Sequence, residues 1–299
     1  MIEGGETDSV RKDEISVEDV MLHRVDRYRF GEGSPRVLIT GGLHGGETTG
    51  QYAAYRMIDE LKTRDLAGEV TIMPRCNPAA FRGMRRSSPY DEQDMNRIFP
   101  GRTDGTSTEA LASQIWDIAQ DMDYIIDLHC CGLYGTSYTL AQYEDYDFAR
   151  ELAQKIDIPL VVQSAGARGQ LFVEAALKGI SSVIIELPGG GRTGIVDLGA
   201  GEETVSALVN MLALVGILPD EESREPDPVF TGKLRRVRCA ADGLFLPRIA
   251  PGKPFEEGQV LGSLTGDKLS VDFPGHAMIV RPPGYVFRGA TVLVLAPAS

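Results

Sequence analysis

Long apolar runs are missing from this sequence. No stretch approaches the roughly 18 consecutive apolar residues that cross a bilayer as a helix, which excludes a helical membrane span. Cysteine is scarce: Cys76, Cys130, Cys131 and Cys239, with no CxxC pair. That spacing gives neither a disulfide framework nor a cysteine-rich structural zinc site, and it predicts free thiols. Lysine is scarce too, seven against 23 arginines, and the formal net charge is -13. A surface of that sign repels phosphate backbones and anionic lipid, so neither nucleic acid nor a membrane is an expected partner. Many carboxylates with few lysines suit high salt, where repulsion is screened, so a halophilic source is the expectation. The first twenty residues, "MIEGGETDSVRKDEISVEDV", are acidic and polar, unlike a secretory signal. A cytoplasmic protein is therefore expected. Histidine occurs only four times, so the place of each one matters.

What is present is enough for a globular core. Hydrophobic residues make up 42% of 299 positions, sufficient for one large domain or a medium domain with a smaller companion. Short apolar runs ending in glycine or a polar exit read as buried strands: "RVLITGG" (36–42), "GEVTIMPRCNP" (68–78), "DYIIDLHCCG" (123–132), "PLVVQS" (159–164) and "ISSVIIELPGGG" (180–191). Segments of helical period alternate with them at 47–63, 107–122, 146–158, 170–179 and 201–218. Ser107 or Thr108 is the expected N-cap of the second helix. This alternation predicts an α/β fold, a mixed, largely parallel sheet flanked by helices, over residues 1–220. "PDEESREPDPVF", acidic and with three prolines, reads as a linker, 221–230. From 231 to 299 short β-like runs separated by Gly and Pro predict a small all-β domain.

In open sheets of this kind sites collect outside strand carboxyl ends. Three such exits carry His44, His129 and Glu186. His44 and Glu47 form an HxxE on a glycine-rich turn, a pattern that places imidazole and carboxylate on one ion or simply stabilises a loop and a helix start. A second histidine at a separate exit, His129, makes a His/Glu/His zinc site the better reading. Three protein ligands leave a fourth position for water. Asp127 lies two residues before His129 on the same strand face and is placed to orient it. Glu186 follows three apolar strand residues, Val183, Ile184 and Ile185, where a carboxylate is costly without a purpose. Partial desolvation there suits proton transfer. "NPAAFRGMRRSSPYDEQDMNRIFPG" (77–101) gathers Arg82, Arg85, Arg86 and Arg97 in an acidic chain. Arg beside Asn suits carboxylate recognition, and pairing of Arg82 and Arg85 with acidic neighbours is the plainer alternative. His23 and His276 are read as non-catalytic.

"GGLHGGE", the arginine-rich segment, "DLH" and "IIELPGG", in that order, resemble the succinylglutamate desuccinylase/aspartoacylase family, a branch related to zinc carboxypeptidases. The resemblance covers roughly residues 36 to 200. It implies a zinc carboxypeptidase-like fold with zinc bound by His44, Glu47 and His129. It implies Asn96 and Arg97 holding a substrate carboxylate, Arg86 polarising the scissile carbonyl, with Arg85 adjacent, and Glu186 as general base. It likens the β tail to a lipoyl-carrier half-barrel, although Lys253 and Lys268 sit in no lipoyl motif, so a structural or gating role is expected there. The implied activity is hydrolysis of a small N-acyl amino acid, by a desuccinylase, an aspartoacylase-like enzyme or an N-acetyl-diaminobutyrate deacetylase. "CCGLYGTSY" and "LPGGGRTG" do not by themselves choose among these. The reading leaves room for a homo-oligomer. A carboxypeptidase acting on peptides and a metal-free binding module are the alternatives.

Overall fold

The computed structural model describes residues 10–16 and 24–299. His23 lies outside the described residues. The first strands, β1 (Val10–Ser16), β2 (Arg24–Gly31), β3 (Arg36–Gly41) and β4 (Glu69–Met73), are followed by β5 (Tyr124–Gly132), β6 (Tyr138–Ala141) and β7 (Leu160–Gln163). The set continues with β8 (Ser181–Gly190), β9 (Ile195–Val196) and β10 (Val229–Thr231). They form one mixed sheet in the order β1-β2-β4-β3-β5-β8-β6-β7-β10, with β9 against β8. The centre, β4-β3-β5-β8, is parallel, and the first two strands add antiparallel at one side.

The helices are α1 (Thr48–Leu61), α2 (Pro78–Arg82), α3 (Ser107–Ala119), α4 (Asp147–Lys155), α5 (Leu171–Ala176) and α6 (Leu198–Leu214). Alternation along each central strand sends successive side chains to opposite faces. Val37, Ile39, Ile126 and Leu128 pack with α1, α4 and α6 on one face. Leu38, Met73 and Ile125 pack with α3 and α5 on the other. Strands buried on both faces therefore read as continuous apolar runs. The N-cap of α3 is Thr106, not Ser107 or Thr108. Thr106 accepts from the Glu109 N–H, and the Glu109 carboxylate accepts from the Thr106 N–H. This reciprocal box satisfies two helix-end donors, and only a residue three before Glu109 can form it.

The acidic, proline-containing stretch after Leu218 ends in β10, which pairs parallel with β7 at the edge of the main sheet. Beyond it come β11 (Arg235–Arg238), β12 (Gly243–Pro247), β13 (Pro254–Phe255), β14 (Gly262–Leu264), β15 (Asp267–Leu269), β16 (Gly275–Val280), β17 (Gly284–Val286) and β18 (Thr291–Pro297). These make two four-stranded antiparallel sheets, β11-β18-β16-β13 and β15-β14-β12-β17, around a core of their own that includes Phe245, Phe255, Leu261, Leu293 and Leu295. A separate apolar cluster joins the regions: Tyr138, Leu160 and Val162 of the main sheet meet Met278 and Ala296 of the C-terminal region. Among the described residues no helix is long and apolar enough to cross a membrane.

Candidate metal centre

The parallel neighbours β3, β5 and β8 bring three strand exits side by side. Gly41 lies opposite Leu128, and His129 lies opposite Glu186. His44 follows β3 on the turn into α1, and Glu47 occupies the N-cap position of α1 without capping it through its side chain. Its carboxylate instead turns toward the two histidines. The glycines of the turn have a packing reason. A Cβ on Gly45 would stand 2.0 Å from the Ala80 backbone, and Gly190, at φ 77°, would place one 2.6 Å from the Gly46 carbonyl oxygen. The turns after β3 and β8 therefore pack backbone against backbone, a closeness open only to glycine. The Gly45 N–H donates to the Arg85 carbonyl at 2.8 Å, which ties the arginine-rich loop to the same turn.

His44 and His129 are buried, with ring centroids 4.9 Å apart. Both turn Nδ1 to Glu47: His44 Nδ1 is 2.8 Å from Oε1, and His129 Nδ1 is 2.7 Å from Oε2. Both use Nε2 elsewhere. His44 Nε2 lies 2.9 Å from Asp94 Oδ1, and His129 Nε2 lies 2.8 Å from Asp127 Oδ2. Asp127 is itself fixed by the Thr40 hydroxyl, which donates to Oδ1 at 2.8 Å. A neutral ring that donates from Nε2 points the Nδ1 lone pair at a carboxylate oxygen. That contact is repulsive unless a proton or a metal cation sits among the three groups. Ligand atoms of His44, Glu47 and His129 all lie within 4.8 Å of one another. Two imidazole nitrogens and a carboxylate, with carboxylates behind both rings, are the donor set that suits zinc. The residues fit a divalent cation.

The electrostatics agree. Burial penalises the charged imidazoliums of His44 and His129, but the surrounding carboxylates outweigh it and hold both pKa values above the ordinary range. Burial alone would raise the Glu47 carboxyl; His129 and His44 reverse this and pull it down. Asp94 is likewise drawn down to about 2 against the cost of burial, by His44 first and then Arg86. Glu186 behaves oppositely. Its pKa rises to about 7, chiefly through burial and in part through the nearby Glu47 charge, with His129 opposing. Its Oε2 is buried with no protein hydrogen-bond partner. One acid of this centre is thus kept ionised and another is poised near neutrality, the separation that general acid–base chemistry needs.

The loop between α2 and α3 supplies the arginines. Met84 at φ 45° and Glu92 at φ 54° hold its backbone in the left-handed region, a strained choice for residues with side chains. Arg86 Nε donates to Asp94 Oδ2 at 2.8 Å, and its Nη1 lies 3.5 Å from His44 Nδ1. The neighbouring Arg85 turns outward to Glu92 at 2.9 Å, and Arg82 is exposed. Asn96 is buried, its Nδ2 3.1 Å from His129 Nε2, and its Oδ1 accepts from the Leu171 N–H at 2.9 Å. Arg97 donates to the Asn96 carbonyl at 2.6 Å and keeps the rest of its guanidinium at the surface of the site. His276 lies on β16, outside this cluster.

Two cavities flank the centre and share His44, Glu47, Arg86, Cys130 and Cys131. One, of about 560 Å³, is walled by Met84, Ser87, Gly191 and Arg192. The other, of about 410 Å³, contains His129, Asn96, Arg97 and Glu186, and is closed by Tyr138, Leu140 and Ile184 together with residues of the C-terminal region. Sequence reasoning missed Asp94, which grips His44 and Arg86 at once, and this C-terminal wall. The first had a faint signal, an acid two residues before Asn96. The second had none, because it depends on contacts between residues about a hundred positions apart. The thiols of Cys130 and Cys131 are pushed up by burial, Cys130 to about 12. Neither is a nucleophile at neutral pH.

A family model for the succinylglutamate desuccinylase/aspartoacylase catalytic domain matches residues 33–212. The N-alpha-acetyl-L-2,4-diaminobutyric acid deacetylase of Halomonas elongata is 29% identical over 287 residues, 89% of this chain and 83% of that protein. The product-bound structure of the ectoine utilization protein EutE (DoeB) from Ruegeria pomeroyi superposes with TM-score 0.78 at 26% identity, covering 98% of this chain and 96% of the other. A succinylglutamate desuccinylase/aspartoacylase structure from Rhodobacter sphaeroides, 24% identical, superposes with TM-score 0.80 over 98% and 97% of the two chains.

Proposed function

This chain belongs to the succinylglutamate desuccinylase/aspartoacylase family, and from that premise we propose that it is a zinc-dependent deacylase that hydrolyses the amide bond of a small N-acyl amino acid. The observation that carries this reading is the joining of two groups in one cavity: the His44–Glu47–His129 donor set and the unpartnered, buried oxygen of Glu186. Similarity along most of the chain to a deacetylase that acts on an N-acetylated amino acid supports it.

Zinc held by His44, Glu47 and His129 would supply Lewis acidity, lowering the pKa of water toward about 7 and polarising a carbonyl. The residues of the chain do the rest. Asp94 and Asp127 accept hydrogen bonds from the Nε2–H groups of His44 and His129 and leave each Nδ1 lone pair for the ion. Glu186 accepts a proton from the attacking water and returns it to the leaving amine nitrogen, so the bond to carbon breaks to give a carboxylate and a free amino acid. Arg86, steadied by Asp94, donates to the carbonyl oxygen as negative charge develops there. Asn96 and Arg97 anchor the substrate carboxylate and present the amide in one orientation. The partly apolar wall keeps bulk water from the reacting carbon.

The test is a rate comparison on zinc-loaded and chelator-treated protein, with N-acetyl and N-succinyl amino acids in one arm and blocked dipeptides in the other. Hydrolysis of the first set, lost with zinc and restored by it, is expected. Faster cleavage of dipeptides would move the reading to a carboxypeptidase. Rates that ignore zinc would overturn it.

A further inference from the structure

Glu174 is a buried carboxylate, 7% exposed, that no step of the hydrolysis uses. It belongs to the first turn of α5, and its side chain turns back toward the loop before that helix. Oε1 accepts from the Gly169 N–H at 2.8 Å and from Arg168 Nε at 2.6 Å. Oε2 accepts from Arg168 Nη2 at 2.9 Å. A buried charge is tolerated only with partners of this kind. The Arg168 side chain is largely exposed, so the carboxylate is the fixed member of the pair. It holds two consecutive loop residues in place.

That loop grips the substrate anchor. Asn96 and Arg97 lie on a single helical turn, Met95–Arg97. Gly169, at φ 81°, runs so close to it that a Cβ there would stand 2.1 Å from the Arg97 carbonyl oxygen. Its own carbonyl accepts from the Phe99 N–H at 3.1 Å. Two residues on, the Leu171 N–H donates to Asn96 Oδ1 at 2.9 Å. This last bond decides which way the amide faces. With Oδ1 occupied by Leu171, Asn96 has its Nδ2 donors left to offer, the polarity that a carboxylate needs. Asn96 and Arg97 line the 410 Å³ cavity, and Glu174 does not.

We propose that Glu174 is a positioning residue for the carboxylate anchor. By fixing Gly169 and the start of α5 it sets the Arg97 backbone and the orientation of the Asn96 amide. The assignment rests on the deacylase reading for what the anchor holds, and on the hydrogen bonds alone for what Glu174 holds. Acting through Asn96 and Arg97, Glu174 affects how a substrate carboxylate is held and leaves the chemistry at the carbonyl alone. A residue that merely supported a helix would affect every substrate alike.

The experiment compares the full-length zinc-loaded parent with Glu174→Ala, Glu174→Asp and Glu174→Gln. The substrates are the N-acetyl amino acid that the parent hydrolyses fastest and its α-carboxamide. Alanine removes the acceptor, and aspartate keeps the charge but draws it back from the Gly169 N–H. Both should lower the acid-to-amide kcat/KM ratio at least fivefold, through a raised KM for the acid. Glutamine keeps an acceptor for that N–H and should restore the ratio to within about twofold of the parent. A smaller change, an equal loss on acid and amide, or no recovery in Glu174→Gln would overturn the assignment. Hydrogen exchange on the metal-free proteins reads the same contacts without turnover. The Phe99 and Leu171 amides should exchange at least tenfold faster in Glu174→Ala and at about the parental rate in Glu174→Gln. The Ile126 and Leu128 amides of β5 should not change in either. Unchanged protection at Phe99 and Leu171, or a loss that includes β5, would overturn it too. If the parent hydrolyses no N-acyl amino acid while these exchange differences hold, the deacylase reading fails and the positioning role of Glu174 stands.

Discussion

Glu47 and Glu186 are the same residue type and line the same cavity, yet their surroundings push them in opposite directions. Glu47 sits between two imidazoles and stays ionised; Glu186 has one buried oxygen with no partner and rises to about 7. A base must be deprotonated to act, so the raised pKa predicts that kcat/KM falls as pH drops below about 7, and a bound dication moves that limb lower. Glu186→Gln should keep its zinc and lose about 10²–10⁴-fold in kcat, and its residual rate should no longer follow the acidic limb. A variant with near-parental turnover would remove Glu186 from the proton's path. Asp94 acts through others, fixing the His44 ring and the Arg86 guanidinium with its two oxygens. Asp94→Asn should weaken zinc binding by about 10–100-fold, measured by competition with a chelating dye. It should also slow turnover at saturating zinc, because Arg86 is loosened as well. Recovery of full kcat at saturating zinc would show that Asp94 serves only the ion. At this scale the readable residues were those whose type is rare and whose position is marked: histidines at glycine-bounded strand exits, and an acid after three apolar residues. Asp94 was not readable, because an aspartate in a polar loop looks like surface until the partners it reaches are known.

The elements were legible where one signal dominated. The parallel strands β3, β4, β5, β7 and β8 announced themselves as short apolar runs, and helices α1, α3, α4, α5 and α6 by their period, because both are set by which face meets the core. Ends were less legible. The capping residue of α3 lies one position before the expected pair, and the box with Glu109 explains why. Asp91 adds a further hold on this end, accepting from the Thr108 N–H and hydroxyl, each at 2.9 Å. Thr106→Ala should lower stability by about 1 kcal/mol, whereas Ser107→Ala, whose hydroxyl makes only a 3.4 Å contact to Asp91, should cost less than half of that. Equilibrium urea unfolding of the two variants decides it, and equal losses would mean that the box contributes nothing. Short strands escaped notice for a different reason. β9 has two residues and β10 three, too few for any alternation to show. They exist only because the neighbouring strands β8 and β7 offer open hydrogen-bonding edges.

For the whole molecule, the question is whether the α/β and all-β regions form one cooperative unit. The composition shift after Leu218 suggests two bodies with a tether, and each region has its own apolar core. Three contacts argue for coupling. β10, the last part of the connecting stretch, is a strand of the main sheet. The segment after His129 exchanges backbone hydrogen bonds with β16. Met278, fully buried, packs with Tyr138, Leu160 and Val162 of the main sheet. Met278→Ala removes side-chain volume at that joint and should cost about 2–5 kcal/mol. The single tryptophan, Trp116, sits on α3 in the core on the far side of the main sheet, so its fluorescence reports the α/β region alone. Coupled regions predict that Met278→Ala moves the Trp116 unfolding midpoint as far as it moves the midpoint followed by circular dichroism. The same substitution should raise KM more than it lowers kcat, because the joint also positions the residues of the C-terminal region that close the 410 Å³ cavity. A Trp116 midpoint that stays put while the dichroism transition splits would mean that the regions unfold independently. The wall of the site would then rest on contacts that open without disturbing the sheet that holds the metal ligands.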